Sequence, residues 1–297
     1  MSTPTKSILS RITQQQRQLP PRLLLAGPIG IGKTSFAAQA PDPLFICAED
    51  GLLGMDHVQR FSPADLTDLN ALLDGIAAEG LTDFKTLVID TFDWLERLIY
   101  DHVLKRDGKK NVEAYGGYGK EQNVAEPEFL AILRKLDDIR VKYSMGIIIL
   151  SHVKIKEFHD PSGVSYDRYE LKGSKKLIGV LAEWVDAYLF TVYEVFQTGG
   201  KDETKTVGGE RIIHTEWNPA WDAKNRLNLP SVIPLSYAAF VAEVEQNSTS
   251  ALRQRALTLA GTAKWETPEK EAVSRKYIKS AIALDLKDAI KRLEEMQ

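Results

Sequence analysis

A glycine-rich segment carries the residues with the most recognisable chemistry. Residues 27–34 read GPIGIGKT and fit the phosphate-loop pattern G-x-x-x-x-G-K-S/T at every fixed position. In such a loop successive backbone N–H groups face one anion, the lysine reaches the β- and γ-phosphates, and the hydroxyl holds Mg²⁺. We therefore predict ATP and Mg²⁺ binding, with Lys33 catalytic and Thr34 on the metal. The predicted nucleotide-binding residues are Gly27, Pro28, Ile29, Gly30, Ile31, Gly32, Lys33, Thr34 and Ser35.

Three further polar residues end apolar runs that read as buried strands. Asp90 follows such a run downstream of the phosphate loop, where an aspartate holds Mg²⁺ directly or through water. Glu49 stands at the strand end where ligands bind in open α/β sheets. It could orient and polarise the water that attacks the γ-phosphate, and His152 could sense that phosphate. For Glu49 and His152, an ordinary polar strand end is the open alternative.

Two basic stretches, 105–126 and 153–176, contain aromatic residues. Basic side chains interleaved with aromatics suit single-stranded DNA, because phosphates meet charge while bases stack on rings. We expect both stretches to be long loops, and such loops in compact domains are usually functional or disordered. A solvated surface loop is the open alternative. The candidate DNA-binding residues are Lys109, Lys110, Tyr115, Tyr118, Lys120, Lys154, Lys156, Lys172, Lys175 and Lys176.

Composition limits the classes of protein that the chain can be. Its 297 residues include 43% hydrophobic and 27% charged residues, which suits a globular protein with a sizeable core. The net charge of −3 gives no global basic field, so nucleic-acid binding must come from local patches. Cys47 is the single cysteine, which excludes a disulfide within the chain. The sequence shows no signal peptide and no membrane span, and we expect a cytoplasmic location without a membrane partner.

The pattern of apolar runs predicts an α/β fold. Uniformly apolar strands alternate with amphipathic segments, which indicates a mostly parallel, twisted sheet with helices on both faces. The predicted organisation is an N-terminal arm over 1–20, an ATPase core over 21–245 and a small C-terminal helical tail over 246–297.

Local signals predict the bounds of several elements. Ser62 followed by proline is expected to start one helix, and Pro127 to start another. The segment 187–215 is expected to form a hairpin. Residues 246–250 read as a linker, and 251–297 as two amphipathic helices.

From Arg22 to Phe240 the chain resembles the RecA-like recombinase ATPases, and more closely the phage-encoded P-loop ATPases of the Sak group. The segment Phe45–Gly51 is similar to the RecA strand that delivers the catalytic glutamate, which implies that role for Glu49. Leu150–His152 stands where RecA proteins carry an Asn-Gln pair that couples the γ-phosphate to a DNA-binding loop. The resemblance implies this coupling role for His152, although histidine replaces glutamine.

A third matching element is Ala223–Arg226, which is similar to the Lys-Asn-Lys or Lys-Asn-Arg element of RecA and RadA. The resemblance implies that Lys224 and Arg226 reach the ATP of a neighbouring subunit and belong to its catalytic site. It further implies a homo-oligomer with ATP at the subunit interfaces. The two basic stretches lack close identity with the RecA loops, and the N-terminal assembly element of recombinases is not recognisable.

The function that these patterns predict is a Mg²⁺-dependent ATP hydrolase with a RecA-like P-loop core that single-stranded DNA stimulates. The resemblance implies a role in phage recombination or single-strand annealing in the host-cell cytoplasm, with a single-strand-binding protein as a further partner. Two other functions stay open. One is a motor or helicase-loader ATPase that acts on a protein ring, and the other is a nucleotide-switched adaptor.

Overall fold

The computed structural model describes residues 19–47, 55, 58–80, 83–198, 205–265, 267–281 and 283–296. The strands within these ranges are β1 (Arg22–Gly27), β2 (Pro43–Cys47), β3 (Gln59–Phe61), β4 (Thr86–Asp90), β5 (Gly146–His159), β6 (Ser165–Leu171), β7 (Ala187–Thr198), β8 (Lys205–His214), β9 (Lys224–Asn225) and β10 (Val232–Pro234). The helices are α1 (Lys33–Ala37), α2 (Leu66–Glu79), α3 (Phe92–Arg106), α4 (Lys120–Tyr143), α5 (Lys175–Trp184), α6 (Tyr237–Gln246), α7 (Thr249–Thr262), α8 (Pro268–Ser280) and α9 (Ala283–Glu294).

The sheet has the strand order β10-β8-β7-β1-β5-β4-β2-β3. Neighbours from β7 through β1, β5, β4 and β2 to β3 are parallel, whereas β8 and β10 add antiparallel pairs at one end. β6 pairs antiparallel with β5, and β9 with β7. The prediction of a mostly parallel sheet is therefore confirmed. β5 lies between the phosphate-loop strand β1 and the strand β4 that ends in Asp90.

Helices cover both faces of the sheet, as predicted. Side chains alternate along β1, so that Leu24 and Ala26 join the cluster beneath α2–α5 while Leu23 and Leu25 join the cluster beneath α1 and α6. This alternation follows from the two-residue period of a strand. Because both faces are buried, the central strands are uniformly apolar.

The edge of the sheet where the parallel strands begin, the amino edge, is closed by an ion-pair network. Arg22 donates to Asp186 (Nη2 to Oδ1, 2.8 Å) and to Asp137 (Nη1 to Oδ1, 3.2 Å). Arg140 also donates to Asp186, at 3.3 Å. The Trp184 indole donates to Asp137 at 2.7 Å, and the Arg22 guanidinium lies over its ring. We call these five residues the amino-edge network; it joins β1, α4, the end of α5 and the residue that precedes β7.

Two predicted helix starts are wrong. α2 begins at Leu66 rather than at Ser62–Pro63, because Asp65 is the N-cap and its carboxylate accepts from the Asp68 N–H at 2.9 Å. α4 begins at Lys120 and contains Pro127 in its interior. Proline removes one backbone hydrogen bond from the helix. The helix continues through Pro127 because Ala125 and Phe129 on either side are fully buried in the core.

The stretch 153–176 is not a long loop. β5 continues from the sheet to His159, and β6 returns antiparallel to it, so the two form a ribbon over 153–171. Tyr169 packs against Phe190 of β7 with ring centroids 5.1 Å apart, which fixes the ribbon to the sheet. The other stretch also differs from the prediction, because α3 and α4 reduce it to residues 107–119, which include a 3₁₀ helix over Val112–Tyr115.

The C-terminal segment contains three helices, α7 to α9, rather than the two that were predicted. The predicted linker is two residues long, because α6 ends at Gln246 and Ser248 already caps α7. The helices share a core of their own, and Lys287 donates to the Asn228 carbonyl of the main body at 2.7 Å. None of the helices within the described ranges could span a membrane.

Candidate functional site

The phosphate loop leaves the carboxyl end of β1 and turns sharply into α1. A Cβ at Gly27 would lie 2.5 Å from the Thr191 carbonyl oxygen of β7, so only glycine fits between these strands. Gly32 has φ +109°, a backbone conformation that residues with a Cβ rarely adopt. α1 is five residues long. Because its dipole is correspondingly short, the loop amides and Lys33 are the groups that could hold an anion here.

A cavity of about 310 Å³ lies over the loop. Lys33 is almost fully buried, and its Nζ donates to the carbonyls of Gly27 and Pro28, both at 2.9 Å. These bonds hold the ammonium group beside the cavity, within the loop that would receive a phosphate. The residues that line the cavity are Gly30, Gly32, Lys33, Thr34, Ser35, Met55, Asp90 and His152.

Two of these residues fit a magnesium ion. The Thr34 hydroxyl donates to Asp90 Oδ2 at 2.9 Å, so the Thr34 hydroxyl oxygen and the Asp90 carboxylate lie side by side at the cavity. Burial raises the pKa of Asp90, against the effects of the Thr34 hydrogen bond and the Lys33 charge; a bound cation would favour the ionised form. No cluster of three or more His, Cys, Asp and Glu residues that could hold a metal occurs in the described part of the chain. This suits Mg²⁺, which usually takes one or two protein ligands together with phosphates and water.

His152 reaches the cavity from the end of the buried part of β5. Its Nδ1 lies 3.2 Å from both carboxylate oxygens of Asp93 in α3. Although burial opposes ionisation, the hydrogen bond with His152 holds the pKa of Asp93 well below its usual range. An ionised carboxylate can only accept, so Nδ1 carries the hydrogen and Nε2 is left for a ligand. Lys172 directly follows β6 at the same end of the ribbon as His152; it lies 3.5 Å from Asp93 and donates its backbone N–H to the His152 carbonyl.

The structure thus brings Lys33, Thr34, Asp90 and His152 around one cavity. Glu49 lies outside the described residues, and its catalytic role stays a prediction. Asp93 was missed by the sequence reasoning, because an acid in the first turn of a helix is an ordinary feature. The position of Asp93, three residues after Asp90, would have been the available signal in the sequence.

Lys224 and Arg226 lie at the amino edge, away from the phosphate loop. β9 pairs with the start of β7, and Lys224 Nζ donates to the carbonyls of Ala182, Glu183 and Val185 at the end of α5. The Arg226 N–H donates to the Asp186 carbonyl. These residues therefore do not reach the ATP site of their own subunit, and a role at the site of a neighbour stays a prediction.

Most of the candidate DNA residues have exposed side chains, and several of the candidates, Lys156 and Lys172 among the exposed ones, also contact other residues of the chain. Lys109 lies over the Tyr115 ring, and the Tyr115 hydroxyl donates to the Val103 carbonyl at 3.1 Å. Lys176 Nζ lies 2.5 Å from Glu126 and donates to Asn123. Exposed side chains are those of Lys110, Tyr118, Lys120, Lys154, Lys156, Lys172 and Lys175.

The parallel sheet, the phosphate loop and the Thr34–Asp90 pair define a nucleotide-binding domain of the P-loop class. The chain belongs to the AAA domain family, whose model matches residues 19–227. The chain is also similar to the crystal structure of the RadB recombinase, with 14% identity and a TM-score of 0.37 over 66% of this chain and 81% of that one. Among the curated proteins compared with the chain, none matches it.

Proposed function

We propose that the protein is a Mg²⁺-dependent ATP hydrolase that binds single-stranded DNA through the ribbon and assists phage recombination or single-strand annealing. One observation carries this proposal: the strand that lines the phosphate cavity continues without a break into a basic, aromatic ribbon. β5 passes from the sheet through His152 to Lys154, Lys156 and Phe158. A change at the γ-phosphate can therefore alter the ribbon directly.

The ribbon has a face suited to a nucleic-acid strand. Alternation along β5 places Lys154, Lys156 and Phe158 on one face, and the cross-strand register adds Tyr166 and Arg168. The Phe158 and Tyr166 rings lie 5.4 Å apart. Two of the charges already have protein partners, since Lys156 lies 3.4 Å from Glu170 and Arg168 donates to Asp222. Phosphate contacts on this face would come first from Lys154.

ATP binding is proposed to close an interface between two subunits, with Lys224 and Arg226 of one reaching the site of the other. Hydrolysis then releases the DNA. The chemistry at the site is supplied by this chain's own groups: Lys33 faces the β- and γ-phosphates, and His152 Nε2 can donate to the γ-phosphate when protonated. Bound Mg²⁺ neutralises phosphate charge, and Thr34 and Asp90 would hold it. Glu49 is proposed to orient the attacking water.

The test compares ATPase rate and DNA binding in the parent and in the variant Lys154→Ala/Lys156→Ala/Lys175→Ala. The parent should hydrolyse ATP faster with single-stranded DNA. The variant should lose that stimulation and bind DNA more weakly. Its plot of log affinity against log salt should be flatter by about 1–2, since each lost phosphate contact removes about 0.7 from the slope and Lys156 is already paired with Glu170. Tyr118→Ala should weaken binding at unchanged slope, because stacking is not a charge effect.

A matched control removes the same charge elsewhere. Lys264→Ala/Lys276→Ala/Lys279→Ala changes three exposed lysines of the C-terminal helical segment and should leave DNA stimulation intact. Equal losses in both triple variants would contradict a role for the ribbon and for Lys175 at the start of α5. A parent ATPase that ignores DNA but responds to a hexameric helicase ring would favour the loader function. Binding of ATP without turnover would favour the adaptor.

A further inference from the structure

Arg211 contacts the phosphate loop from the antiparallel end of the sheet. Its Nη1 donates to the Ile31 carbonyl at 3.4 Å. A Cβ added to Gly32 would lie 2.7 Å from the same nitrogen, so the guanidinium occupies the space that a side chain at position 32 would need. Nothing in the local sequence around Arg211 marks it as a nucleotide-site residue.

We infer that Arg211 is a positioning residue of the nucleotide site: it holds the Ile31–Gly32 peptide so that the Gly32 N–H faces the phosphates. This inference rests on the nucleotide binding proposed above. In a trans peptide the C=O and the following N–H point in opposite directions. A donor on the Ile31 carbonyl therefore fixes the direction of the Gly32 N–H. Gly32 lines the cavity, so that N–H is available to a phosphate there.

The scaffold behind Arg211 is suited to this task. The residue pairs with Tyr193 of β7, and its carbonyl accepts from the Leu235 N–H at 2.9 Å. The backbone of Arg211 is thus held by β7 on one side and by Leu235 on the other. The same strand β7 places the Thr191 carbonyl against Gly27 at the start of the loop. The β7–β8 pair therefore supports the phosphate loop at two points, and a charged donor at one of them also polarises the peptide.

The position of Arg211 predicts a specific pattern of nucleotide affinities. The loop amides contact phosphates that ATP and ADP share, and Arg211 acts through one of those amides. Arg211→Ala should therefore weaken the binding of MgATP and of MgADP by the same factor, about threefold to tenfold, because a 3.4 Å bond from an exposed guanidinium is weaker than a short charge-assisted one. The kcat should stay within about twofold, because the loop holds ground state and transition state alike. Arg211→Lys should restore most of the affinity.

The experiment is isothermal titration of MgATP and MgADP into the full-length parent, Arg211→Ala, Arg211→Lys and Glu210→Ala. Glu210 is the exposed neighbour on the same strand and controls for disturbance of β8. Thermal unfolding of each variant shows whether it is folded. A loss confined to MgATP would mean that the guanidinium contacts the γ-phosphate, and would overturn the inference. So would unchanged affinities in Arg211→Ala, or equal losses in Glu210→Ala.

These outcomes are separable from failure of the proposed function. If the parent binds neither nucleotide, the proposed ATPase itself is wrong. If the parent binds both and Arg211→Ala binds them equally well, the assignment of Arg211 alone is wrong. DNA stimulation plays no part in either measurement.

Discussion

Each edge of the parallel sheet carries an acidic side chain, and the surroundings shift the pKa of the two acids in opposite directions. At the amino edge, hydrogen bonds from Arg22 and the charge of Arg140 outweigh burial and lower the pKa of Asp186. At the carboxyl edge, burial outweighs the Thr34 hydrogen bond and raises the pKa of Asp90. An acid that the protein itself neutralises stabilises the fold. The hydrogen bond and charges around Asp90 do not outweigh its burial, so a cation bound in the cavity would favour its ionised form.

The largest effect should come from removing the cation of the carboxyl edge. Lys33→Ala should abolish ATP turnover, because the loop loses the group that faces the β- and γ-phosphates. Removing even one donor to the transition state lowers the rate by about 10²–10³. Steady-state ATPase assays measure this loss. Lys85→Ala is the control: Lys85 pairs with Asp42 on the surface, and its removal should leave the rate unchanged. A turnover rate in Lys33→Ala close to that of the parent would refute the site.

The second prediction compares the two acids by stability. Asp186→Asn should lower the free energy of unfolding at pH 7 by about 1.5–3 kcal/mol, the range for hydrogen bonds to a charged group. Because the folded pKa of Asp186 is lowered, its contribution is present above the unfolded pKa of about 3.9 and is lost as pH falls through the folded pKa. The difference between parent and variant should therefore shrink below pH 4. Urea unfolding at several pH values measures it.

Asp90→Asn should have the opposite sign in the same assay. Because burial raises the folded pKa of Asp90, its ionised form costs stability above the unfolded pKa. Asparagine keeps an acceptor for Thr34 and removes that cost, so the variant without nucleotide should be at least as stable as the parent at pH 7. It should also lose Mg²⁺-dependent turnover. Equal destabilisation by both substitutions would remove the distinction between the edges.

The smallest effect concerns the part of the amino edge that is predicted to serve a neighbour. Lys33→Ala fails at its own site but still supplies Lys224 and Arg226, whereas Lys224→Ala/Arg226→Ala keeps the loop and supplies neither. In a head-to-tail assembly mixed in equal amounts, about one quarter of the interfaces would combine both intact halves. ATPase activity should recover to about that fraction.

Light scattering must show that the two variants co-assemble before the result is read. No recovery in such a mixture would leave Lys224 with its structural role alone. That role is to satisfy the carbonyls at the end of α5, and its loss should cost about 1 kcal/mol of stability.

The sequence was informative where one short pattern determines the geometry. The phosphate loop and the apolar strands predicted that Lys33, Thr34 and Asp90 lie at one edge of the sheet, and the three residues do line one cavity there, because the position of each depends on its immediate neighbours; their roles stay predictions. The ribbon was mistaken for a loop because its strands form through cross-strand pairing and the contact of Tyr169 with a distant strand. Arg211 lies 179 positions from Gly32 in the chain, so only the folded sheet brings them together.

β5 is also a lever. Its residues Ile147–Leu150 are held between β1 and β4, and beyond His152 the same strand runs out to His159. The contact of Tyr169 with Phe190 holds the ribbon near Ile155, which pairs with Tyr169. At about 3.3 Å per residue, the part of β5 beyond Ile155 is about 13 Å long, so a rotation of about 10° there moves its tip by about 2 Å. If this movement couples the ribbon to the proposed nucleotide site, a ligand bound at the tip would change the affinity for ATP by the same factor by which ATP changes the affinity for that ligand.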